Sequence, residues 1–419
     1  MLKYAKMPLM FLRRFARRLW VRVALFALLA VVVSVAATWI TQFVPDRLSE
    51  RIGPDAVMPV LSILASSMLA VSTFSLSIMV SSHRAAAGNA TPRIHRILLE
   101  DTTTQSVLAT FIGAFVYSLT SIILFRADIY PEQAAIVIMA VTVAVVVLVI
   151  VAMLRWINHL STLGSMDDSI RTAYELARKS LINLAKNPAF GANPLTDDTV
   201  LPNRLTPVPA PESGFVQLVD VAALQACTEG EAGAGRLIYI DRPPGRHVLT
   251  GQPLAHVSGD VTPDQIRRIA HCFVTGDLRS HEQDAEFGLL VLSEISSKAL
   301  SPGINDPGTS IEVVTRLETL LWEYAIADHK TPPQQYPNVF SPVPSAERLI
   351  DAGFAATARD GAGVIEVAVQ LRQALLELAN APRMDIQSAA QAMADRALSY
   401  ADAALPLPVE KDRLRATQL

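Results

Sequence analysis

Cysteine is nearly absent: two in 419 residues, too few for a disulfide-stapled scaffold. No Walker loop, GxSxG elbow or HExxH helix occurs, so nothing announces nucleotide hydrolysis, a serine hydrolase or a zinc protease. Charge is scarce as well, at 18% of residues against 51% hydrophobic, with a mean hydropathy of +0.33. That balance excludes a disordered chain and a collagen-like repeat.

The scarcity is concentrated. Residues 23–44, 56–82, 102–125 and 133–154 contain no charged side chain at all. Each exceeds the roughly 20 residues a helix needs to cross a hydrocarbon core of about 30 Å. Four such windows in succession predict membrane spans at about 20–44, 57–81, 104–125 and 134–156. The small-x-small triplet Ser34-Val35-Ala36 suggests a signal cleavage site. The apolar stretch around it is longer than a signal core of about 7–15 residues, which predicts an uncleaved first span. Arg13-Arg14-Phe15 hints at a twin-arginine export signal, which the charge asymmetry outweighs.

Residues 1–160 carry 14 of the 36 Lys and Arg but 7 of the 39 Asp and Glu; the remainder is net acidic. Lys3, Lys6, Arg13, Arg14, Arg17, Arg18 and Arg22 precede the first span, and Arg84, Arg93 and Arg96 follow the second. The connections at 45–55 and 126–132 are short and near charge balance. The positive-inside rule therefore predicts a multi-pass inner-membrane protein with both termini cytoplasmic. Membrane lipids are the expected partners, together with copies of the same chain, and nucleic acid is not expected.

The second span carries hydroxyls at helical spacing. Ser62, Ser66, Thr73 and Ser77 fall within about 60° on a helical wheel, and Arg84 extends the stripe. Such a stripe lines either a polar passage or a close helix seam in which hydroxyls bond back to the preceding turn. With no ionised group at mid-membrane depth, a passive pore fits better than a proton-coupled pump. Between the second and third spans, Ile94, Ile97 and Leu98 share a face beside His95, Arg93 and Arg96, the pattern of an interfacial helix on anionic headgroups.

The expected fold is thus an α-helical membrane protein: a transmembrane domain at 1–160, followed by a cytoplasmic α+β region. Within the latter, 161–187 reads as a connecting helix and 188–213 as a Pro-rich linker. Residues 214–260 read as a small β barrel-like module, whose segment PPGRHVLTGQPLAHV looks like the hairpin of biotinyl or lipoyl-type barrels without their turn lysine. Residues 261–328 form helices opened by a cap at Thr262-Pro263. A second Pro-rich stretch then leads to Ala-rich helices over 345–404.

The densest polar stretch runs from His281 and Glu282 through Gln283 and Asp284 to Asn305 and Asp306. Gln283, Asp284, Asn305 and Asp306 are candidates for a ligand site between two helix ends. The same residue types serve as helix caps, and Asp306 before Pro307 is a good one. His271, Cys272, His247, His256 and Cys227 lack any zinc spacing; no catalytic residue, metal or cofactor is assigned.

TPRIHRILLEDTTTQSVLATFIGAFVY, SGFVQLVD and RSHEQDAEFGLLVLSEISSKALSPGINDPGTS resemble landmarks of the predicted bacterial membrane proteins grouped as domain of unknown function 2254. The likeness runs from the second span to about Tyr324, and 301–307 (SPGINDP) is its most specific block. The resemblance implies an inner-membrane location and a four-helix N-terminal region, and it carries no catalytic residues.

Overall fold

The computed structural model describes residues 53–89, 91–99, 102–127, 134–160, 165–229, 235–327 and 335–417, with Val21, Ala24, Leu25, Leu28 and Val32. Apart from those five positions, the span expected at 20–44 lies outside the described residues. The chain divides into two compact units, Met1–Gly88 with His95–Asp168, and Asn89–Ile94 with Ser169–Leu419.

In the first unit the charge-free windows form α1 (Pro54–Asn89), α3 (Thr102–Arg126) and α4 (Ala134–Leu160); the short α2 (Pro92–Leu99) between α1 and α3 starts within the second unit, which takes in residues up to Ile94. All three long helices contain stretches apolar enough to cross a membrane: Pro54–Ser82, Thr103–Arg126 and Ala134–Leu160. One side of each is buried. Val57, Leu61, Leu64 and Met68 of α1 join Val107, Phe111, Ala114 and Tyr117 of α3 and Ile138, Val145, Val149 and Trp156 of α4 in one apolar cluster. Other α4 side chains, including Val147, Ile150 and Leu154, are exposed, as a lipid-facing surface would be.

The second unit opens with α5 (Met166–Lys186) and then gives eight described strands. These are β1 (Ala192–Leu195), β2 (Leu205–Pro209), β3 (Gly214–Val219), β4 (Ile238–Ile240), β5 (His247–Val248), β6 (Pro253–Ser258), β7 (Phe273–Gly276) and β8 (Tyr336–Pro342), with helices α6 (Val221–Cys227) and α7 (Pro263–Ala270) among them. They fall into a mixed sheet of order β1-β8-β4-β6-β2 and an antiparallel sheet β5-β3-β7, rather than one closed barrel. Both sheets share one core, in which Val208, Ile238, Ile240 and Val339 meet Val216, Val219, Val248 and Phe273.

Two expectations are corrected here. The segments read as a hairpin, β5 and β6, join different sheets: β5 pairs with β3, and β6 with β2 and β4. Strands also arise where proline suggested linkers. Pro194 lies in β1 and Pro207 and Pro209 in β2, the two edge strands, where a missing N–H breaks no ladder. β8 is central, parallel to both β1 and β4, and its prolines sit near its ends.

The remaining helices are α8 (Ala285–Ala299), α9 (Pro307–Ile326), α10 (Ala346–Asp360), α11 (Ile365–Leu378), α12 (Met384–Ala404) and α13 (Pro408–Ala416). Helix α10 packs on α8 and α12, and α11 on α9 and α12. Phe287, Val291, Ile295 and Ala299 of α8 and Val314, Leu317, Leu321 and Tyr324 of α9 are buried, as their spacing predicts. Between α8, α9 and α10, the Thr357 hydroxyl donates to Ser296 Oγ at 2.8 Å, and Ser296 shares a 2.7 Å bond with Ser310.

Helix α5 approaches α8 closely enough that a Cβ at Gly288 would stand 2.7 Å from the Ala177 Cα. Backbone cannot turn aside as a side chain can. Gly288→Ala is therefore expected to lower the unfolding free energy by about 1–2 kcal/mol, despite the helix propensity gained. Denaturant unfolding of the purified protein in detergent measures it; a neutral or stabilising outcome would contradict the contact.

Candidate functional site

On α1, Ser62, Ser66, Thr73, Ser77 and Arg84 are all exposed, interleaved with exposed Ile63, Leu69, Phe74 and Leu76. The stripe faces away from the apolar cluster of its own unit. Its hydroxyls bond locally: Ser66 Oγ donates toward the Ser62 and Ile63 carbonyls at 2.9 and 3.1 Å, and Thr73 Oγ1 toward Leu69 and Ala70 at 3.1 and 2.9 Å. Such bonds satisfy the donor and leave the oxygen lone pairs available. The inward face carries hydroxyls that the stripe did not include. Ser72, Ser75 and Ser118 are buried, and Tyr117 Oη lies 3.2 Å from Thr142 Oγ1, which donates to the Ile138 carbonyl at 2.7 Å.

The expected polar stretch at 283–306 splits into two places in the second unit. At the head of α8, Asp284 is only 4% exposed and caps the helix by accepting the Phe287 N–H at 3.0 Å. Arg279 grips the same carboxylate with two N–H groups, Nε to Oδ2 at 2.8 Å and Nη2 to Oδ1 at 2.9 Å, and its guanidinium lies 5.1 Å from the Phe287 ring centroid. The turn before β5 presses on the carboxylate from another side: Gly245, at φ +88°, stands where any Cβ would overlap it. Gln283 faces the second sheet, accepting the Val219 N–H at 2.8 Å and donating to the Val219 carbonyl at 3.2 Å.

Burial pushes the Asp284 carboxyl above the usual range, against the opposing pull of Arg279, the Phe287 N–H and Arg246. Glu286 is also raised, by burial and by Asp284, although Arg348 pairs with it at 2.6 Å. The donors and acceptors here are consumed internally, and the arrangement acts as a clamp joining sheet, turn and helix.

Asn305 and Asp306 stand at the other end of α8, about 22 Å away for a helix of this length. The structure does not bring them together with Gln283 and Asp284. The 301–307 block is a joint between two helices. The Asp306 N–H donates to the Ala299 carbonyl at 2.8 Å, closing α8, while its carboxylate accepts the Thr309 N–H at 3.1 Å and the Thr309 hydroxyl at 2.6 Å, opening α9. Those bonds hold the Asp306 carboxyl below its usual value. Asn305 adopts φ +52°, a left-handed turn that asparagine tolerates. Among the described residues, no group of three or more His, Cys, Asp or Glu is placed to hold a metal.

The Arg93 guanidinium, on the helix whose pattern suggests headgroup contact, pairs with Glu294 of α8. Arg279 was missed because its role depends on a loop folding back over five residues, which no periodicity reports. A buried carboxylate preceded by a nearby arginine was the available signal.

Replacing Arg279 by methionine leaves a buried carboxylate without its counter-charge, so Arg279→Met is expected to cost about 3 kcal/mol at pH 7. Adding Asp284→Asn should restore most of it. The single variant's deficit should shrink as pH falls through the raised Asp284 value, because the protonated acid needs no counter-charge. Unfolding free energies from pH 4 to 7 test both the sign and the rescue. For the joint, Asp306→Ala is expected to cost about 1 kcal/mol and Asp306→Asn much less, read as a shift in thermal midpoint.

A family described as predicted membrane protein, domain of unknown function 2254, matches residues 16–377. The chain is 27% identical over 298 residues to an uncharacterized protein of Mycobacterium bovis, and equally so to uncharacterized proteins of two Mycobacterium tuberculosis strains. Those alignments cover 68% of this chain and 56% of each relative, so the chain spans about half the length of the curated relatives it matches. No solved structure matches it. With the family's description answered over most of its length, and three helices long and apolar enough to span a bilayer, the chain belongs to this family of predicted membrane proteins.

Proposed function

We propose that the protein is a homo-oligomeric, channel-like or passive transport protein of the inner membrane, with the second unit as its cytoplasmic regulatory part. The observation that carries this reading is the outward hydroxyl stripe of α1: Ser62, Ser66, Thr73 and Ser77 are exposed on the face turned away from the unit's apolar cluster. Hydroxyls directed at lipid gain nothing there. Arranged around a symmetry axis, the same faces line a narrow polar path whose oxygen lone pairs remain available to a passing solute. The uncharged character of the spans suits passive movement. In this proposal residues 20–44 supply a fourth span, both termini lie in the cytoplasm, and Arg84 stands at the cytoplasmic mouth.

A second reading, a membrane-anchored sensor or scaffold, is favoured by apolar side chains exposed on the second unit. Ile326 and Met384, 55% and 80% exposed, end α9 and open α12, where Arg383 lies 4.9 Å from the Tyr324 ring centroid. An inner-leaflet enzyme working through 283–306 has less support, since Asp284 and Asp306 occupy opposite ends of α8.

Purified protein reconstituted into vesicles is expected to pass potassium or chloride down a gradient, and Ser66→Leu with Thr73→Leu to reduce that flux at least tenfold without loss of folding. Undiminished flux in the folded variant, or a monomeric mass in nanodiscs, would overturn the channel reading. A flux-silent wild type would leave the sensor in its place.

A further inference from the structure

Helix α1 is longer than a bilayer needs. It runs unbroken for 36 residues, roughly 54 Å at about 1.5 Å per residue, while its apolar stretch ends at Ser82. Residues 83–89 carry the helix onward past Arg84, and the proline inside it, Pro59, lies before the hydroxyl stripe begins. From Ser62 to Asn89 the helix is a single proline-free rod.

The C-terminal end of that rod passes out of the first unit: Asn89–Ile94 belongs by its contacts to the second. There Thr91 and Ile94 are buried, 8% and 0% exposed, and the Ile94 N–H donates to Thr91 Oγ1 at 3.5 Å as α2 opens. Arg93 pairs with Oε1 of Glu294, whose side chain is 22% exposed and whose other oxygen, Oε2, is buried with no partner. Arg93 thus supplies the counter-charge of a largely buried carboxylate, which is costly to leave alone. Glu294 in turn sits on a helix held at both ends, by Arg279 on Asp284 and by Asp306, and tied in the middle through Ser296.

We propose that the Arg93–Glu294 pair is a strut coupling α8 to α1, through which a displacement of α8 reaches the helix that bears the hydroxyl stripe. The joint has little slack. Four residues separate Asn89 from Arg93, and at no more than about 3.6 Å each they take up at most about 14 Å. Beyond that joint the pull acts on a stiff helix. The consequence for conduction rests on the channel reading above: in a passage lined by the stripe, sliding or turning α1 changes which hydroxyls face the path, and the second unit becomes its regulator.

The test uses full-length protein in nanodiscs and amide hydrogen exchange read by mass spectrometry. Arg93→Gln and Glu294→Gln are each expected to raise exchange over 83–94 at least tenfold, with 285–299 unchanged. The swap Arg93→Glu with Glu294→Arg is expected to return it to within threefold of the wild type. Unchanged exchange in both single variants, or a swap as fast as either, overturns the strut. In vesicles, the single variants are expected to change potassium or chloride flux at least threefold and the swap to restore it. A conducting wild type whose flux none of the variants alters overturns the coupling and leaves the channel standing. A flux-silent wild type overturns the channel, and the exchange result alone then decides the strut.

Discussion

An ionised group or an unpaired amide in hydrocarbon costs several kcal/mol, and that constraint orders the first unit. It explains why charge vanishes for more than twenty residues at a time, why the spans are helices, and why hydroxyls such as those of Ser66, Thr73, Thr110 and Thr142 bond back to carbonyls of their own helix. It also forces arginine to the ends. Once side chains are limited to apolar groups and hydroxyls, shape and hydroxyl placement are what distinguish one helix face from another. The two faces of α1 differ in this way: Val57, Leu61, Leu64 and Met68 inward, Ser62, Ser66, Thr73 and Ser77 outward.

The second unit follows a different rule. Polar and charged groups enter its interior, many of them paired. Helix α8 collects several of them. Asp284 and Arg279 secure its head, Asp306 closes its tail, Ser296 ties its middle to α9 and α10, and Gly288 lets α5 approach its backbone. The 301–307 block has a plain role in this geometry: a proline, a glycine, a left-handed asparagine and a capping aspartate make a tight joint between two helices.

Local signals were legible in the sequence and distant ones were not. Within the helical region expected over 261–328, α8 runs Ala285–Ala299 and α9 Pro307–Ile326. Thr262 caps α7 with Gln265 as the Thr-Pro pair indicates. These depend on neighbours within one or two turns. Strands fared worse. β5 and β6 look like a hairpin, yet their partners lie tens of residues away, and a two-residue β5 holds too little pattern to reveal that. β1, β2 and β8 were hidden by prolines, which exclude central pairing but are tolerated at sheet edges and strand ends. The site was half legible. Asp284 and Asp306 are recognisable as caps, whereas the Arg279 grip and the Gly245 turn depend on the tertiary fold alone.

Strand β8 occupies an interior place in the five-stranded sheet although it follows every other strand in the chain, with α8 and α9 intervening. During synthesis β1 and β4 must wait, their inner edges bare, until some 140 further residues beyond β1 have left the ribosome. By then the membrane helices are already inserted. Assembly of the sheet is therefore a late and long-range event, and a nascent chain stalled before residue 336 presents two open strand edges to whatever chaperone or neighbouring chain is at hand.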